Sequence, residues 1–508
     1  MKGLTFNPQS KHLLQAKKLW SQSFYDGAVE EYRRALKREP KNLAVKIEAA
    51  KALGLSYYHT EAEHILEKLG RLAKFEPMLL VHAGLIARDI RRPKLAEDFF
   101  KRALEKLPTN SEVEAELAHI AERRGDLTEA EERINKAIAK DPGTAWFQIL
   151  KARITSQLGK STGALKLYQE VIEKRSLPHG LKARALMEKA TLHENLGQFD
   201  RSLECIESGK VLIRPDISNL PTSTSSPLAK ARSLGDELSA SFLQTYLNQQ
   251  TEPPEKLCFL LGFPRSGTTL IEKCLSQSMQ IDDAEELDIF GSRIHPIVTG
   301  TLQRYDNHSE EAEKAIQLLR SRYLEGVESA LGGRKNPYLL DKNPSNTALA
   351  LSCARVFPEA KFLTVLRDPR DILVSAYMQA LPLNPESALF VDRTNLANHI
   401  VATLEAWLEA KEKLPIGSWR EVKYEDFVND PDSITSSIHE WLDADALSEI
   451  DEERSFEGAS GYVHSPSFTS VRKAPHKGRV ARWRNYEPWV LDLRPVLEPL
   501  MEQLGYPW

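Results

Sequence analysis

Small residues recur through the first two hundred positions at a fixed step. Ala28, Ala62, Ala96, Ala130 and Ala164 follow one another at intervals of 34 residues. Twelve positions before each stands another residue no larger than alanine: Ala16, Ala50, Gly84, Ala118 and Ala152. A sixth unit fits as Ala190 and Ser202 after a four-residue insertion. The pattern predicts a helix–turn–helix unit, two amphipathic helices crossing closely where both carry a small side chain. The turns inside the pairs are read as Tyr25-Asp26-Gly27, Arg124-Gly125-Asp126 and Leu196-Gly197-Gln198. Pro40, Pro108 and Pro142, with Pro178 and Pro215 slightly displaced, are expected to stop the second helix, because proline lacks an N–H and clashes with the preceding turn.

Past Asp216 the texture changes. A Ser/Thr/Pro stretch over 219–227 reads as a linker, and helical periodicity returns over 227–247. Leu257-Cys258-Phe259-Leu260-Leu261 is a short apolar run of the kind that forms a buried parallel strand. It leads into Gly262-Phe263-Pro264-Arg265-Ser266-Gly267-Thr268-Thr269 and then an amphipathic helix. About a hundred residues on, the apolar run Lys361–Leu366 leads into Arg367-Asp368-Pro369-Arg370-Asp371 and a second helix that contains Ser375. The pattern thus predicts two architectures in one chain, a helical array followed by an α/β domain with a central parallel sheet.

A strand, a Gly-bounded loop and a helix make an anion cradle, since loop N–H groups and the positive helix end converge on one point. Gly262 and Gly267 have the spacing of the phosphate loop of nucleotide hydrolases, but Thr268 stands where those enzymes carry lysine. A kinase or hydrolase uses that lysine and Mg²⁺ on a highly charged transition state. Here Arg265 lies earlier in the loop, which suits a transferred group with fewer charges.

Composition adds exclusions. A chain of 508 residues exceeds one hydrophobic core. A net charge of −4 argues against a nucleic-acid or membrane-surface protein. The basic cluster Arg472, Lys473, His476, Lys477, Arg479, Arg482 and Arg484 is therefore read as a lid over a nucleotide rather than a nucleic-acid patch. Four scattered cysteines, no apolar leader and no long apolar run predict a soluble, cytoplasmic protein. The histidines show no metal spacing, and no metal is assigned.

The array over residues 8–215 resembles the tetratricopeptide repeat, and a connecting segment over 216–255 separates it from a domain over 256–508. A generic helical bundle is the plainer alternative for the array. P-R-S-G-T-T-L after an apolar strand resembles the 5′-phosphosulfate loop of sulfotransferases that use 3′-phosphoadenosine 5′-phosphosulfate (PAPS). The R-D-P-R-D element resembles the segment that binds the donor's 3′-phosphate, with Arg367 and Ser375 at its two contact positions. Over about 256–490 the match is to the protein-tyrosine sulfotransferase branch. That resemblance implies a catalytic glutamate at Glu286, 21 residues past Arg265, and a catalytic lysine at Lys342 in Asp341-Lys342-Asn343-Pro344. It implies donor contacts from Arg265, Ser266, Gly267, Thr268 and Thr269, from Tyr424 toward the adenosine, and from Ser467 and Arg482. The family usually has lysine at the Arg482 position.

The chemistry follows those residue types. An acceptor hydroxyl must lose its proton, so Glu286 is the candidate base. A leaving phosphate oxygen gains charge, so Lys342 and Arg265 are the candidate stabilisers. Glu285 is the alternative to Glu286 within an acidic run, and Lys342 has the alternative of a surface turn residue. The expected reaction is PAPS plus an acceptor hydroxyl, most simply a protein or peptide tyrosine held with help of the repeats' concave surface, giving a sulfate ester and adenosine 3′,5′-bisphosphate. The alternatives are a small-molecule or carbohydrate acceptor, a non-catalytic repeat scaffold and a phosphate-loop kinase.

Overall fold

The computed structural model describes residues 5–508 apart from 23, 75, 218–228, 230–231, 233, 235–237, 250–253, 278–279, 301–308, 382–383, 386 and 443–476. The Ser/Thr/Pro stretch over 219–227 and Ser467 lie outside the described residues. The chain divides into two compact units. One comprises residues up to Lys160 together with Ser321–Arg334, and the other holds Ser161–Arg320 and the described residues from Lys335 onward.

The first unit holds α1 (Lys11–Ser21), α2 (Tyr25–Arg38), α3 (Leu43–Leu55), α4 (His59–Leu72), α5 (Met78–Asp89), α6 (Pro93–Lys106), α7 (Ser111–Arg124), α8 (Leu127–Lys140) and α9 (Ala145–Gln157). The second unit opens with α10 (Ser161–Ile172), α11 (His179–Asn195) and α12 (Phe199–Ile217). Every alanine of the 34-residue pattern is buried. Gly84 shows why size matters there: a Cβ would come within 2.5 Å of the ring of Phe100, which fills the space beside it. At the sixth unit Ser202 Oγ donates to the carbonyl of Ala190 at 2.8 Å, joining the two small positions directly. The turn at Gly125-Asp126 forms as expected, Gly125 ending α7 in the left-handed region and Asp126 capping α8.

Two local expectations need correction. Tyr25-Asp26-Gly27 is not a turn but the first turn of α2, where Asp26 meets the positive end of the helix. Pro215 does not stop its helix. It sits inside α12, which runs on to Ile217. A proline in a last turn costs only one backbone bond, and the burial of Ile213, Lys210 and Gly209 holds the helix regardless.

The second unit is built on five parallel strands in the order β2-β3-β1-β4-β5. They are β1 (Leu257–Leu261), β2 (Ile281–Asp283), β3 (Tyr338–Lys342), β4 (Lys361–Leu366) and β5 (Trp419–Lys423). β1 is buried along its whole length, as a central strand covered on both faces must be. Leu260 pairs with Lys342 and Leu261 with Thr364, so β1, β3 and β4 end at one edge of the sheet. The loops after them, with α13 (Thr268–Leu275) and α14 (Pro369–Tyr377), therefore gather at that edge. The last repeat helix belongs to the same body. Lys210 of α12, its amine pushed down to about 8 by burial, donates to the carbonyl of Phe390 at 2.8 Å, and Trp489 Nε1 donates to Glu207 at 3.0 Å.

Candidate active site

The loop after β1 is shaped by glycine. Gly262 (φ 140°) and Gly267 (φ 106°) occupy the left-handed region that other residues avoid. At Gly262 a Cβ would lie 2.5 Å from Ser266 Oγ and 2.7 Å from the carbonyl of Val365, and at Gly267 it would lie 2.4 Å from the Tyr424 ring. Arg265 adopts φ 82° without glycine's freedom, a strain of the kind found where a loop is held for function. Thr347 fastens the loop: its hydroxyl accepts from Gly262 N–H at 2.8 Å and donates to the Gly262 carbonyl at 2.9 Å. Ser266 Oγ is buried and has no hydrogen-bond partner among the described residues. The N–H groups that open α13 face the same loop.

The second element meets the first. Arg367, at the end of β4, donates from Nη1 to the carbonyl of Arg265 at 3.0 Å, and from Nη2 to Asp371 at 3.3 Å and to the carbonyl of Arg479. Its guanidinium lies over Tyr424, 4.3 Å from the ring centre. Nε is buried with no partner among the described residues. Arg265 Nε in turn donates to Ser375 Oγ at 3.2 Å. Two motifs 102 residues apart thus interlock at one place.

Positive charge is dense there. Burial, then the neighbouring Arg482, Arg367 and Arg479, push Arg265 down to about 10. Guanidiniums crowded together in this way, with Arg265 and Arg479 both pushed down, are arranged for an anion. Like Arg367, Arg482 already has a carboxylate partner: Glu194, at the end of α11, takes both its Nε and Nη2, and neither side chain is more than 9% exposed. The second arginine of R-D-P-R-D has a different duty. Arg370 pairs with Asp368 at 2.7 Å, donates to the carbonyl of Pro507 at 2.9 Å and stacks on Trp483 at 3.9 Å, tying α14 to the chain's end. Asp371 accepts from Trp483 N–H at 2.8 Å, and burial pushes its carboxyl upward.

Candidate residues also meet at the end of β3, on the side of β1 away from β4. Lys342 ends β3, and its Nζ reaches Glu286 Oε1 at 2.8 Å and Glu272 Oε2 at 3.2 Å. Glu286 also raises the proton affinity of Arg265, which places it within electrostatic reach of the guanidinium group. Glu285, beside it, takes φ 49°, and its backbone N–H donates to Asp283 Oδ1 at 2.7 Å. The sequence reading did not single out Glu272, Thr347 or Glu194. Glu272 sits at an ordinary helical position, Thr347 in a short turn, and Glu194 in a repeat 288 residues from its partner. None carried a local signal.

Residues 258–449 match the sulfotransferase family, and residues 91–154 match the tetratricopeptide repeat. An uncharacterized protein of Aquifex aeolicus (strain VF5) is 25% identical over 450 residues, 87% of this chain and 57% of its own length. Protein-tyrosine sulfotransferase 1 of Mus musculus is 31% identical over 122 residues, 22% of this chain and 32% of its own. A solved sulfotransferase of Alicyclobacillus acidocaldarius, 15% identical with a TM-score of 0.29, covers 51% of this chain and 98% of itself. The chain thus spans little more than half the length of the first of these relatives and a third of the second. Among the described residues no helix is long and apolar enough to cross a membrane. Residues 258–449, which carry the Gly-bounded loop, the arginine element interlocked with it and most of the parallel sheet beneath them, are a sulfotransferase-family domain, and residues 91–154 belong to tetratricopeptide repeats.

Proposed function

We propose that the domain over 256–508 transfers a sulfuryl group from PAPS to an acceptor hydroxyl, and that the acceptor is a tyrosine in a protein or peptide. The observation that carries the reading is the interlock of Arg265, Ser375 and Arg367, which sets two anion cradles side by side, as a nucleotide bearing phosphates at both its 3′ and 5′ positions requires. The orphaned buried Ser266 Oγ and Arg367 Nε, and two glycines whose Cβ atoms would crowd the loop, fit such a donor.

In this reading the 5′ end is held by the N–H groups of Gly267, Thr268 and Thr269 with the Ser266 hydroxyl. The 3′-phosphate is held by Arg367 and Ser375, with Tyr424, Arg482 and Ser467 completing the nucleotide site. PAPS supplies an activated sulfur. Glu286 takes the acceptor's proton as the new oxygen–sulfur bond forms, and the old sulfur–oxygen bond breaks with its electron pair left on the phosphate oxygen. Lys342 and Arg265 neutralise that charge. No step in this account requires a metal. The tyrosine acceptor is supported by the similarity to protein-tyrosine sulfotransferases and by the repeats over 8–215, a scaffold suited to extended peptides.

Adenosine 3′,5′-bisphosphate is expected to raise the melting temperature without Mg²⁺, and ATP with Mg²⁺ to do less. The reverse ranking, followed by phosphoryl transfer, favours a kinase. Transfer of labelled sulfate from PAPS to tyrosine peptides, with serine peptides and sugars as competitors, tests the acceptor.

Glu194 provides a separate check. Its carboxylate neutralises Arg482 inside the cationic cluster. Glu194→Gln is expected to tighten bisphosphate binding by about tenfold, roughly 1.4 kcal/mol, as one opposing charge leaves. Titration calorimetry reads this, and weakened binding would show that Glu194 serves by aiming Arg482.

A further inference from the structure

Lys342 is almost wholly enclosed, and its two carboxylate partners differ in kind. The Glu286 side chain is 33% exposed, as a group that must meet an acceptor needs to be. The Glu272 side chain is 3% exposed and reaches Lys342 from the second turn of α13, the helix that opens at the phosphate loop. A carboxylate so deeply buried is costly, and the chemistry above leaves it without a task.

Its surroundings explain how it is accommodated. Burial first, then the nearby charge of Asp283 and more weakly that of Glu285 push its carboxyl well above the usual range, against the pull of Lys342. Burial alone disfavours the charge on Lys342, but Glu272 and Glu286 outweigh it and keep the ammonium protonated. Glu286 cannot do this throughout the reaction. Once it takes the acceptor's proton it is no longer an anion, at the very stage when Lys342 must face the departing oxygen.

We propose that Glu272 is the positioning residue of Lys342: it holds the ammonium at the end of β3 from the phosphate-loop helix, so that Glu286 is free to accept a proton. The consequence for rate rests on the sulfuryl-transfer reading above, whereas the grip on Lys342 does not.

Glu272→Leu removes the acceptor at nearly constant volume, and Glu272→Gln keeps an oxygen for Lys342. The leucine variant is expected to lose kcat by at least about tenfold with bisphosphate affinity unchanged, and the glutamine variant to stay within about threefold of the parent. Competitive acetylation read by mass spectrometry supplies a measure apart from activity. Lys342 should be protected in the parent, in Glu272→Gln and in Glu286→Gln, and labelled several times faster in Glu272→Leu. A leucine variant with parental kcat and parental labelling overturns the proposal, as does a glutamine variant as impaired as the leucine one. If the leucine variant does not fold, Lys342 becoming reactive in Glu286→Gln overturns it instead, because Glu286 would then be the anchor. A parent that transfers no sulfuryl group counts against the function alone, and the labelling order still decides the grip.

Discussion

Glu286→Gln is expected to lower the rate of sulfuryl transfer by about 10²- to 10⁴-fold, the usual worth of a positioned general base, while bisphosphate binds as tightly as before. The amide matches the carboxylate in shape, and its oxygen can still accept from Lys342 Nζ at the 2.8 Å site. Lys342 also keeps Glu272. The substitution therefore removes proton acceptance and little else. Single-turnover rates with PAPS, set beside calorimetric binding of the bisphosphate, separate the two quantities. A variant that transfers at the parental rate moves the base to another group, and one that loses nucleotide binding shows that Glu286 shapes the donor site.

Arg367→Ala is expected to do more damage and of a different sort. The guanidinium holds the Arg265 carbonyl, the Arg479 carbonyl and Asp371 together, over the Tyr424 ring. Removing it strands Asp371, which is fully buried and among the described residues keeps only the Trp483 N–H. Breaking a buried pair in this way costs about 3 to 5 kcal/mol of stability. Nucleotide affinity is expected to fall by about 10²-fold as well, since a bond to a charged group is worth about 1.5 to 3 kcal/mol and the loop loses its brace. Arg367→Lys divides the two effects: it keeps the charge near Asp371 but lacks the fork that spans three acceptors. Thermal melts and bisphosphate titration measure both. Parental affinity in the alanine variant would remove Arg367 from the donor site.

The parts legible along the chain are those in which neighbouring residues suffice. Ala28, Ala62, Ala96, Ala130 and Ala164 declare a helix-pair array because close crossing admits no larger side chain at those depths. Gly262 and Gly267 mark a loop because the backbone there must take a left-handed turn against Ser266, Val365 and Tyr424. Pro215 misled for the converse reason. A proline's local cost is small in a last turn, and packing decides whether the helix continues.

Strand order, and the meeting of side chains far apart in sequence, belong to the tertiary structure. The order β2-β3-β1-β4-β5 sets Lys342 on one side of the loop after β1 and Arg367 on the other. No spacing foretold that Arg370 would be spent on Asp368, Trp483 and the carbonyl of Pro507, that Glu194 would reach Arg482, or that Glu272 would share Lys342 with Glu286. Periodicity and glycine geometry are set by local sterics, which a sequence displays. The energy of a buried charge depends on every group folded around it, and that company exists only once the chain has closed on itself.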